Sequence, residues 1–295
     1  MSTRRQARRL AALLEEPGMV RAPGVYDGLG AHLVRRAGFP AAYLTGAGVA
    51  VSGYGVPDIG LVTATEMVDR LTTVVTACEL PVIADADTGF GTPLHVVRTV
   101  RAYEQAGAAA IQLEDQAFPK RCGHLADKEV IDADEFAAKL HAALDARREG
   151  ILVIARTDAR GPLGIDEAIA RGRRYAAEGA DLVFVEAPES LEEIERIASE
   201  VPAPLLFNVV PSGRSPQVDE AVLEKLGYRL AIYPGALLEP ATNAMITALS
   251  GMTGQAAARV EGPAGIFRQV GLDDWSDAGE RYGTRSGPDE EEPWA

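Results

Sequence analysis

The chain has 295 residues, of which 47% are hydrophobic and 24% are charged, as in an ordinary globular protein with a large core. Its 29 Lys and Arg against 43 Asp and Glu give a net charge of −14, which argues against nucleic acid and anionic membrane surfaces as partners. Two cysteines, Cys78 and Cys122, make no disulfide framework, so we expect a reducing, cytoplasmic location.

The N-terminal sequence RRQARRLAALLEE predicts an amphipathic helix that packs on the fold. Its apolar stretch, residues 10–14, is too short for a signal peptide and is followed by two glutamates. No run of the chain approaches the roughly 18 apolar residues that a membrane-spanning helix needs.

Beyond this helix, short apolar runs alternate with longer segments of helical spacing. The apolar runs lack polar–apolar alternation, which is typical of parallel strands buried on both faces. We predict strands at residues 19–22, 41–45, 82–85, 110–114, 152–156, 182–186, 205–208 and 230–233. Helices are predicted at residues 93–106, 132–148, 165–178, 191–200 and 240–249.

Eight such units predict a (β/α)8 TIM barrel. A weak repeat, with Gly at the helix ends in RRAGFPAAYL, EQAGAAAIQL and AAEGADLVFV, supports the βα alternation. A doubly wound open sheet is the alternative, but no G-x-G-x-x-G follows a strand. We expect residues 1–250 to form the catalytic barrel with its N-terminal helix. Residues 251–295 would form a C-terminal extension with a disordered acidic end, PDEEEPWA.

Polar residues stand at the carboxyl ends of the predicted strands, where barrel enzymes place their active sites. They are Thr45, Asp85, Asp87, Glu114, Arg156, Glu186 and Asn208. Packing does not explain so many polar strand ends, because each buried charge needs a partner. A metal ion together with an anion is the simplest partner that they could share.

The motif DADTGFG places Asp85 and Asp87 two residues apart, so both can face the barrel mouth. Two carboxylates with few other hard ligands suit Mg²⁺, with Mn²⁺ as an alternative, and Glu114 adds a third acidic group on the next strand. A helix cap explains one of the aspartates but not both. The four scattered histidines and the lack of CxxC give no zinc-site pattern.

Cys122 lies in PKRCGH, directly after the fourth predicted strand. The flanking cations and imidazole predict a lowered thiol pKa and a role as acid, base or nucleophile. Cys78 lacks such neighbours and is predicted to be an inert core residue. Glycine-rich residues 46–48 and 53–60 are weaker candidates for an anion cradle. Arg156, at a buried strand end, needs a carboxylate or phosphate to bind.

The ordered motifs YLTGAG, GVPDIG, DADTGFG, LEDQ, PKRCGH, IARTDAR, FVEA and IYP resemble the isocitrate lyase/phosphoenolpyruvate mutase superfamily over roughly residues 21–243. They are most similar to the branch that holds 2-methylisocitrate lyase, 2,3-dimethylmalate lyase, oxaloacetate hydrolase and carboxyphosphonoenolpyruvate mutase. The resemblance implies a Mg²⁺-dependent carbon–carbon lyase that cleaves a 2-hydroxy dicarboxylate to an α-keto acid and a carboxylate. It also implies a homotetramer, a dimer of dimers, whose neighbours exchange the last barrel helix.

The same resemblance implies residue roles. Mg²⁺ would bind Asp85 and Asp87, and Glu114 would hold metal-bound water. The keto-acid half of the substrate would lie on Thr45, Gly46, Ala47, Asp58 and Arg156. The other half would lie among Cys122, Gly123, His124, Glu186 and Asn208. From the chemistry of the cleavage we assign to Cys122 the protonation of the enediolate and to Tyr43, assisted by the metal, the removal of the hydroxyl proton. Asp58 is a further candidate catalytic residue.

Two positions depart from the family pattern. Pro211 stands where many relatives carry Glu, and Glu239 stands where methylisocitrate lyases carry an arginine. An anion in place of a cation disfavours a tricarboxylate by repulsion, so we expect a substituted malate as substrate. Oxaloacetate hydrolysis, phosphonomutase chemistry and a non-enzymatic scaffold are the alternatives.

Overall fold

A computed structural model describes residues 2–125, 128–256 and 258–282 of the chain. The predicted disordered acidic end, residues 288–295, lies outside the described residues. The division at residue 250 into a barrel and an extension stays a prediction.

Eight parallel strands follow each other in chain order around a closed barrel, and the last pairs with the first through Val20↔Leu230 and Ala22↔Ile232. This confirms the (β/α)8 barrel and excludes the open sheet. The predicted strands are all present, with some ends shifted by a few residues. They are β1 Val20–Val25, β2 Ala42–Leu44, β3 Val82–Asp85, β4 Ala110–Glu114, β5 Leu152–Thr157, β6 Leu182–Val185, β7 Leu205–Asn208 and β8 Tyr228–Tyr233.

Helices follow the strands on the outside of the barrel, and a π-helical turn at Ala50–Tyr54 extends the short helix after β2. The helices are α1 Thr3–Glu15, α2 Gly28–Arg36, α3 Gly46–Val49, α4 Ala64–Cys78, α5 Pro93–Ala106, α6 Ala133–Ala146, α7 Arg160–Leu163, α8 Ile165–Ala177, α9 Leu191–Glu200, α10 Glu220–Leu226, α11 Leu238–Thr253, α12 Gly262–Arg268 and α13 Leu272–Tyr282. None of those within the described ranges is long and apolar enough to cross a membrane.

The core has two layers, one inside the barrel and one between the barrel and the helices, and successive strand residues point alternately into one and the other. Leu182 and Phe184 of β6 pack inside the barrel, whereas Val183 and Val185 pack against the surrounding helices. Helix α1 is amphipathic as predicted and buries Leu10 against the residues inside the barrel. The Arg229 side chain donates a hydrogen bond of 2.9 Å to the carbonyl of Leu14, at the C-terminal end of α1. The cavity described below opens at the carboxyl ends of the strands.

Cys78 is fully buried at the end of α4, which confirms its predicted place in the core.

The chain after β8 leaves the barrel and then returns to it. Helix α11 buries only Leu238, and Met245, Leu249 and Met252 are 59%, 61% and 83% exposed. Helix α12 then buries Ile266 and Phe267 in the main core cluster. The exchange of α11 between subunits stays a prediction.

Candidate active site

A cavity of about 270 Å³ opens at the carboxyl ends of the strands. Most of the residues predicted for the site line it. They are Tyr43, Thr45, Ala47, Asp58, Asp85, Cys122, Gly123, His124, Arg156, Glu186 and Asn208. Gly46, Asp87 and Glu114 stand one layer behind, in contact with the lining residues Asp85, Lys120 and Arg156 respectively.

The two aspartates of DADTGFG converge. Asp85 ends β3, and Asp87 follows it with a left-handed φ of 46°. A Cβ built on Gly46 would lie 2.8 Å from Oδ2 of Asp85 and 3.6 Å from Oδ1 of Asp87, so both carboxylates face one point beside this glycine. Oδ1 of Asp85 accepts a hydrogen bond of 3.3 Å from the Gln112 amide, which fixes its orientation.

Residues 46–49 of the glycine-rich segment after β2 form α3. The Gly46 amide donates to Oδ2 of Asp85 at 3.2 Å. The Gly48 amide donates to the hydroxyl of Thr45, which caps the helix, at 3.3 Å. The Gly46 and Gly48 amides are therefore hydrogen-bonded within the protein, and the anion cradle expected here stays a prediction.

The Lys120 ammonium group joins three segments of the barrel mouth. It pairs with Asp58, which follows α3, and lies 2.9 Å from Oδ1 of Asp87. Burial lowers the pKa of Lys120, but the carboxylates of Asp58 and Asp87 outweigh it and raise the pKa well above its usual range. Burial raises the pKa of Asp87 to about 6 although Lys120 opposes the shift, and Asp85 adds to it. The Lys120 ammonium group is therefore the positive charge nearest to three buried carboxylates, those of Asp58, Asp85 and Asp87.

Arg156 lies at the end of β5, but its expected anion turns out to be part of the protein. Its Nε and Nη2 donate to Asp158 at 2.7 and 2.9 Å in a bidentate pair. Its Nη1 lies 3.3 Å from Glu114, and its Nη2 lies 3.2 Å from Glu186. The guanidinium group is therefore shared among three buried carboxylates, so a substrate carboxylate would be an additional partner and not the primary one.

A chain of buried polar contacts behind Arg156 was not predicted. Asp158 accepts a hydrogen bond of 2.8 Å from Lys128, and its amide donates to Asp115 at 2.8 Å. Asp115 in turn accepts from the Tyr175 hydroxyl at 2.9 Å and from Arg171 at 3.0 Å. The available signal was an acidic residue shortly after each predicted site residue: Asp115 follows Glu114 in LEDQ, and Asp158 stands two positions after Arg156 in RTDAR.

The loop that carries Cys122 is held down at several points. The Cys122 amide donates to the carbonyl of Asp58 at 3.1 Å. Lys128 donates to the carbonyl of Gly123 at 2.7 Å. A Cβ on Gly123 would lie 2.4 Å from Nη2 of Arg156, so only glycine allows this loop to approach the arginine so closely.

His124 closes the loop against β6 and β7. Its Nδ1 accepts a hydrogen bond of 3.2 Å from the Arg214 amide, which leaves Nε2 as the protonated nitrogen, 3.5 Å from Oε1 of Glu186. Asn208 donates to Oε2 of Glu186 at 3.1 Å. Burial lowers the pKa of His124, so this imidazole is neutral at pH 7.

The predicted activation of Cys122 is wrong. Burial raises the pKa of the thiol to about 12, and the Asp58 carboxylate adds to the rise. Lys120 and Arg156 lower it too little to compensate, because both are already paired with carboxylates. The thiol is protonated at neutral pH, which suits a proton donor and not a nucleophile.

Tyr43 lies at the floor of the cavity and is fully buried. Burial and the neighbouring Asp85 raise the pKa of its phenol well above the usual range. Deprotonation would therefore need a nearby cation, and the role of Tyr43 as a base stays a prediction.

The two positions that depart from the family pattern, Pro211 and Glu239, both line the cavity. Oε2 of Glu239 accepts a hydrogen bond of 3.2 Å from the amide of Gly262, at the start of α12. Ile266 and Phe267 of α12 line the same cavity. This contribution was missed because no sequence motif links residues 262–267 to the barrel mouth.

The sequence profile of the phosphoenolpyruvate phosphomutase family matches residues 10–253, and the chain belongs to this family. It is 48% identical to 2,3-dimethylmalate lyase from Eubacterium barkeri over 241 residues, which are 81% of this chain and 83% of that protein. It is 43% identical to 2-methylisocitrate lyase from Aeropyrum pernix over 240 residues, 81% of this chain and 77% of the other.

Solved structures agree with this assignment. An oxaloacetate acetylhydrolase in complex with 3,3-difluorooxalacetate superposes with a TM-score of 0.82 at 34% identity, and the match covers 97% of this chain and all of the other. A phosphonopyruvate hydrolase complex with oxalate and Mg²⁺ superposes with a TM-score of 0.73 at 30% identity over 96% of this chain and 99% of the other. The predicted superfamily is thereby confirmed.

The raised pKa of Cys122 gives a direct prediction. In a Cys78→Ala protein without added metal, alkylation of Cys122 by iodoacetamide should rise about tenfold per pH unit up to pH ~10, because only the thiolate reacts. A free cysteine peptide, with a pKa of about 8.5, should level off well before that. Mass spectrometry of the labelled protein gives the rate. A plateau below pH 8.5 would contradict the assignment, and a Cys78→Ala/Cys122→Ser protein gives the background.

Proposed function

We propose that this protein is a Mg²⁺-dependent carbon–carbon lyase that cleaves a 2-hydroxy dicarboxylate to an α-keto acid and a carboxylate. The observation that carries the proposal is one cavity lined by Asp85 and by Cys122, whose thiol is protonated, with Asp87 directly behind the lining and converging with Asp85. The similarity to 2,3-dimethylmalate lyase and to 2-methylisocitrate lyase supports it.

The residues at the end of β3 fit a hard divalent cation. Within residues 2–125, 128–256 and 258–282, no three acidic, histidine or cysteine side chains are placed so that they could hold a metal ion together, so the protein would supply two carboxylates. Two carboxylates that face one point suit Mg²⁺, which keeps several waters and completes its shell with substrate oxygens, and Mn²⁺ can replace it. Burial raises the pKa of Asp87 and of Glu114 by disfavouring their charged forms, and a nearby cation would favour the ionised carboxylates again.

Mg²⁺, when bound by Asp85 and Asp87, would act as a Lewis acid that polarises the substrate oxygens and stabilises negative charge on them. The chain itself orients the substrate. Arg156 can give the keto-acid carboxylate an additional charged contact, and Thr45, Gly46 and Ala47 form the adjoining wall. Glu114 and Asp58 fix the orientation of Arg156 and Lys120 by pairing with them.

The proton balance of the cleavage assigns the thiol its task. The hydroxyl on carbon 2 loses its proton, its electron pair forms the keto group, and the bond between carbons 2 and 3 breaks. The electrons pass into the carboxylate of the other fragment as an enediolate, and Cys122 gives its proton to carbon 3. A thiol whose pKa is raised to about 12 is protonated before this step, as a general acid must be. Tyr43 is our candidate for the base that accepts the hydroxyl proton.

Hydrolysis of oxaloacetate to oxalate and acetate is the second candidate. The similarity to an oxaloacetate acetylhydrolase over nearly the whole chain favours it. The same cavity would serve, with water as the second reactant.

A purified sample with Mg²⁺ should release pyruvate from 2,3-dimethylmalate, measured by coupled NADH oxidation, and chelation of the metal should abolish the release.

Cys122→Ser should lower kcat by about 10²- to 10⁴-fold, the usual contribution of a positioned proton donor, with a smaller change in KM. Asp87→Asn should raise the Mg²⁺ concentration needed for half-maximal rate, because one of the two carboxylates is lost.

The matched control is Cys78→Ala, which removes the other thiol of the chain and should keep the wild-type kcat. Unchanged turnover in Cys122→Ser would exclude the thiol as proton donor. Release of oxalate and acetate from oxaloacetate, without cleavage of any 2-hydroxy diacid, would replace the lyase by the hydrolase.

We also propose a homotetramer in which neighbouring subunits exchange α11. The exposed apolar side chains Met245, Leu249 and Met252 support an interface on this helix, because a soluble surface rarely leaves such a group uncovered. Light scattering on the purified protein should give four times the 31.2 kDa chain mass, and a monomer mass would contradict the proposal.

A further inference from the structure

The cavity has two chemically different sides. Asp85 at the end of β3, Lys120 in the loop after β4 and Arg156 near the end of β5 supply charged groups on one side. Because the strands follow in order around a closed barrel, β7 and β8 lie opposite β3 and β4. The segments after β7 and β8, together with α12, line their side mainly with apolar groups. These are Val209, Val210, Pro211, Leu238, Ile266 and Phe267.

The charge on this apolar side is negative. Glu239 lines it. The lysine and arginine side chains among the described lining residues all lie on the other side, at the end of β5 or in the loop after β4; they are Lys120, Arg121 and Arg156. Lys120 and Arg156 are moreover paired with carboxylates already. A further carboxylate directed at this side would lose its hydration and meet Glu239 without a cation to compensate.

Helix α12 is fixed in place as part of this wall. Ile266 and Phe267 are 4% and 1% exposed. The Gly262 amide at the start of the helix donates to Glu239. Asn243 of α11 exchanges two hydrogen bonds with the backbone of Val260, at 2.9 and 2.8 Å. Glu239 therefore both repels an anion and holds the apolar wall through its hydrogen bond to the Gly262 amide. A glutamine at position 239 keeps a side-chain oxygen that can accept this hydrogen bond.

We propose that this side of the cavity is an alkyl-binding subsite. It receives the substituent on carbon 3 of the 2-hydroxy diacid and rejects a carboxymethyl group at that position. The inference rests on the proposed lyase reaction for the orientation of the substrate. With the keto-acid half at Asp85 and Arg156, the carbon 3 half points to Asn208 and the wall beyond it. The preferred substrates are thus 2-hydroxy diacids with an alkyl chain on carbon 3.

Binding of non-cleavable analogues tests the subsite without turnover. The probes are 2-propylsuccinate and propane-1,2,3-tricarboxylate, which present an alkyl or a carboxymethyl group of similar size on the same diacid. Calorimetry with the Mg²⁺-loaded protein should show 2-propylsuccinate binding at least about tenfold more tightly, since apolar pockets commonly gain this much per methylene group.

Two variants separate the contributions of charge and wall. Glu239→Gln should narrow the preference to about threefold or less by strengthening tricarboxylate binding, because the repelling charge is gone while the shape remains. Phe267→Ala should weaken 2-propylsuccinate about tenfold and change the tricarboxylate much less. Leu94→Gln, at an 81% exposed position of α5 outside the cavity, should keep the wild-type ratio.

Equal or tighter binding of the tricarboxylate by the wild type, or no binding of 2-propylsuccinate, overturns the subsite. A Glu239→Gln protein whose ratio of affinities for the two ligands is unchanged also overturns it, and this result is decisive even where Phe267→Ala does not fold.

Cleavage of 2-methyl-3-propylmalate and of 2-methylisocitrate by the same samples separates the two proposals. An alkyl preference in binding without cleavage of any diacid would sink the lyase and leave the subsite. Faster cleavage of 2-methylisocitrate would leave the lyase and sink the subsite.

Discussion

Lys120 forms buried ion pairs with Asp58 and Asp87, and the barrel mouth is organised around them. These contacts connect the segment after α3, the end of β3 and the loop after β4, which are distant in sequence. A lone buried ammonium or carboxylate would cost several kcal/mol, so each of these segments is held in place by its need for a partner. The Cys122 loop is positioned as a consequence, because its amide bonds to the carbonyl of Asp58.

The charged side chains at the barrel mouth form two groups, one around Arg156 and one around Lys120, and the two groups differ in their net charge. Around Arg156, the carboxylates of Glu114, Asp158 and Glu186 share one guanidinium group, with Lys128 as a second cation on Asp158. Around Lys120, three carboxylates share one ammonium group, and an excess of negative charge remains. A divalent cation bound there would balance the two unpaired negative charges, whereas the two cations of the Arg156 group leave only one of its three carboxylates unbalanced. This asymmetry favours a metal at β3 and a rigid, preorganised arginine at β5.

The fold was readable from the sequence because buried parallel strands leave nearly continuous apolar runs, such as residues 205–208, with polar residues at their ends. The same logic found the polar strand ends Thr45, Asp85, Arg156, Glu186 and Asn208, which line the cavity. It failed where the answer depends on contacts distant in sequence. The pKa of Cys122 rises because burial outweighs the cations beside it in sequence. Ile266 and Phe267 were missed because their place at the mouth depends on the path of the chain after α11.

The central claim is that Asp85 and Asp87 bind one divalent cation whose charge the surrounding carboxylates require. Crystals grown with Mn²⁺, examined by anomalous diffraction at the manganese edge, test this most directly. The account predicts a single strong peak at the barrel mouth, within coordination distance of both carboxylates, that disappears in Asp85→Asn crystals grown under the same conditions. A protein that binds Mn²⁺ elsewhere, or shows no peak at saturating Mn²⁺, would contradict the account.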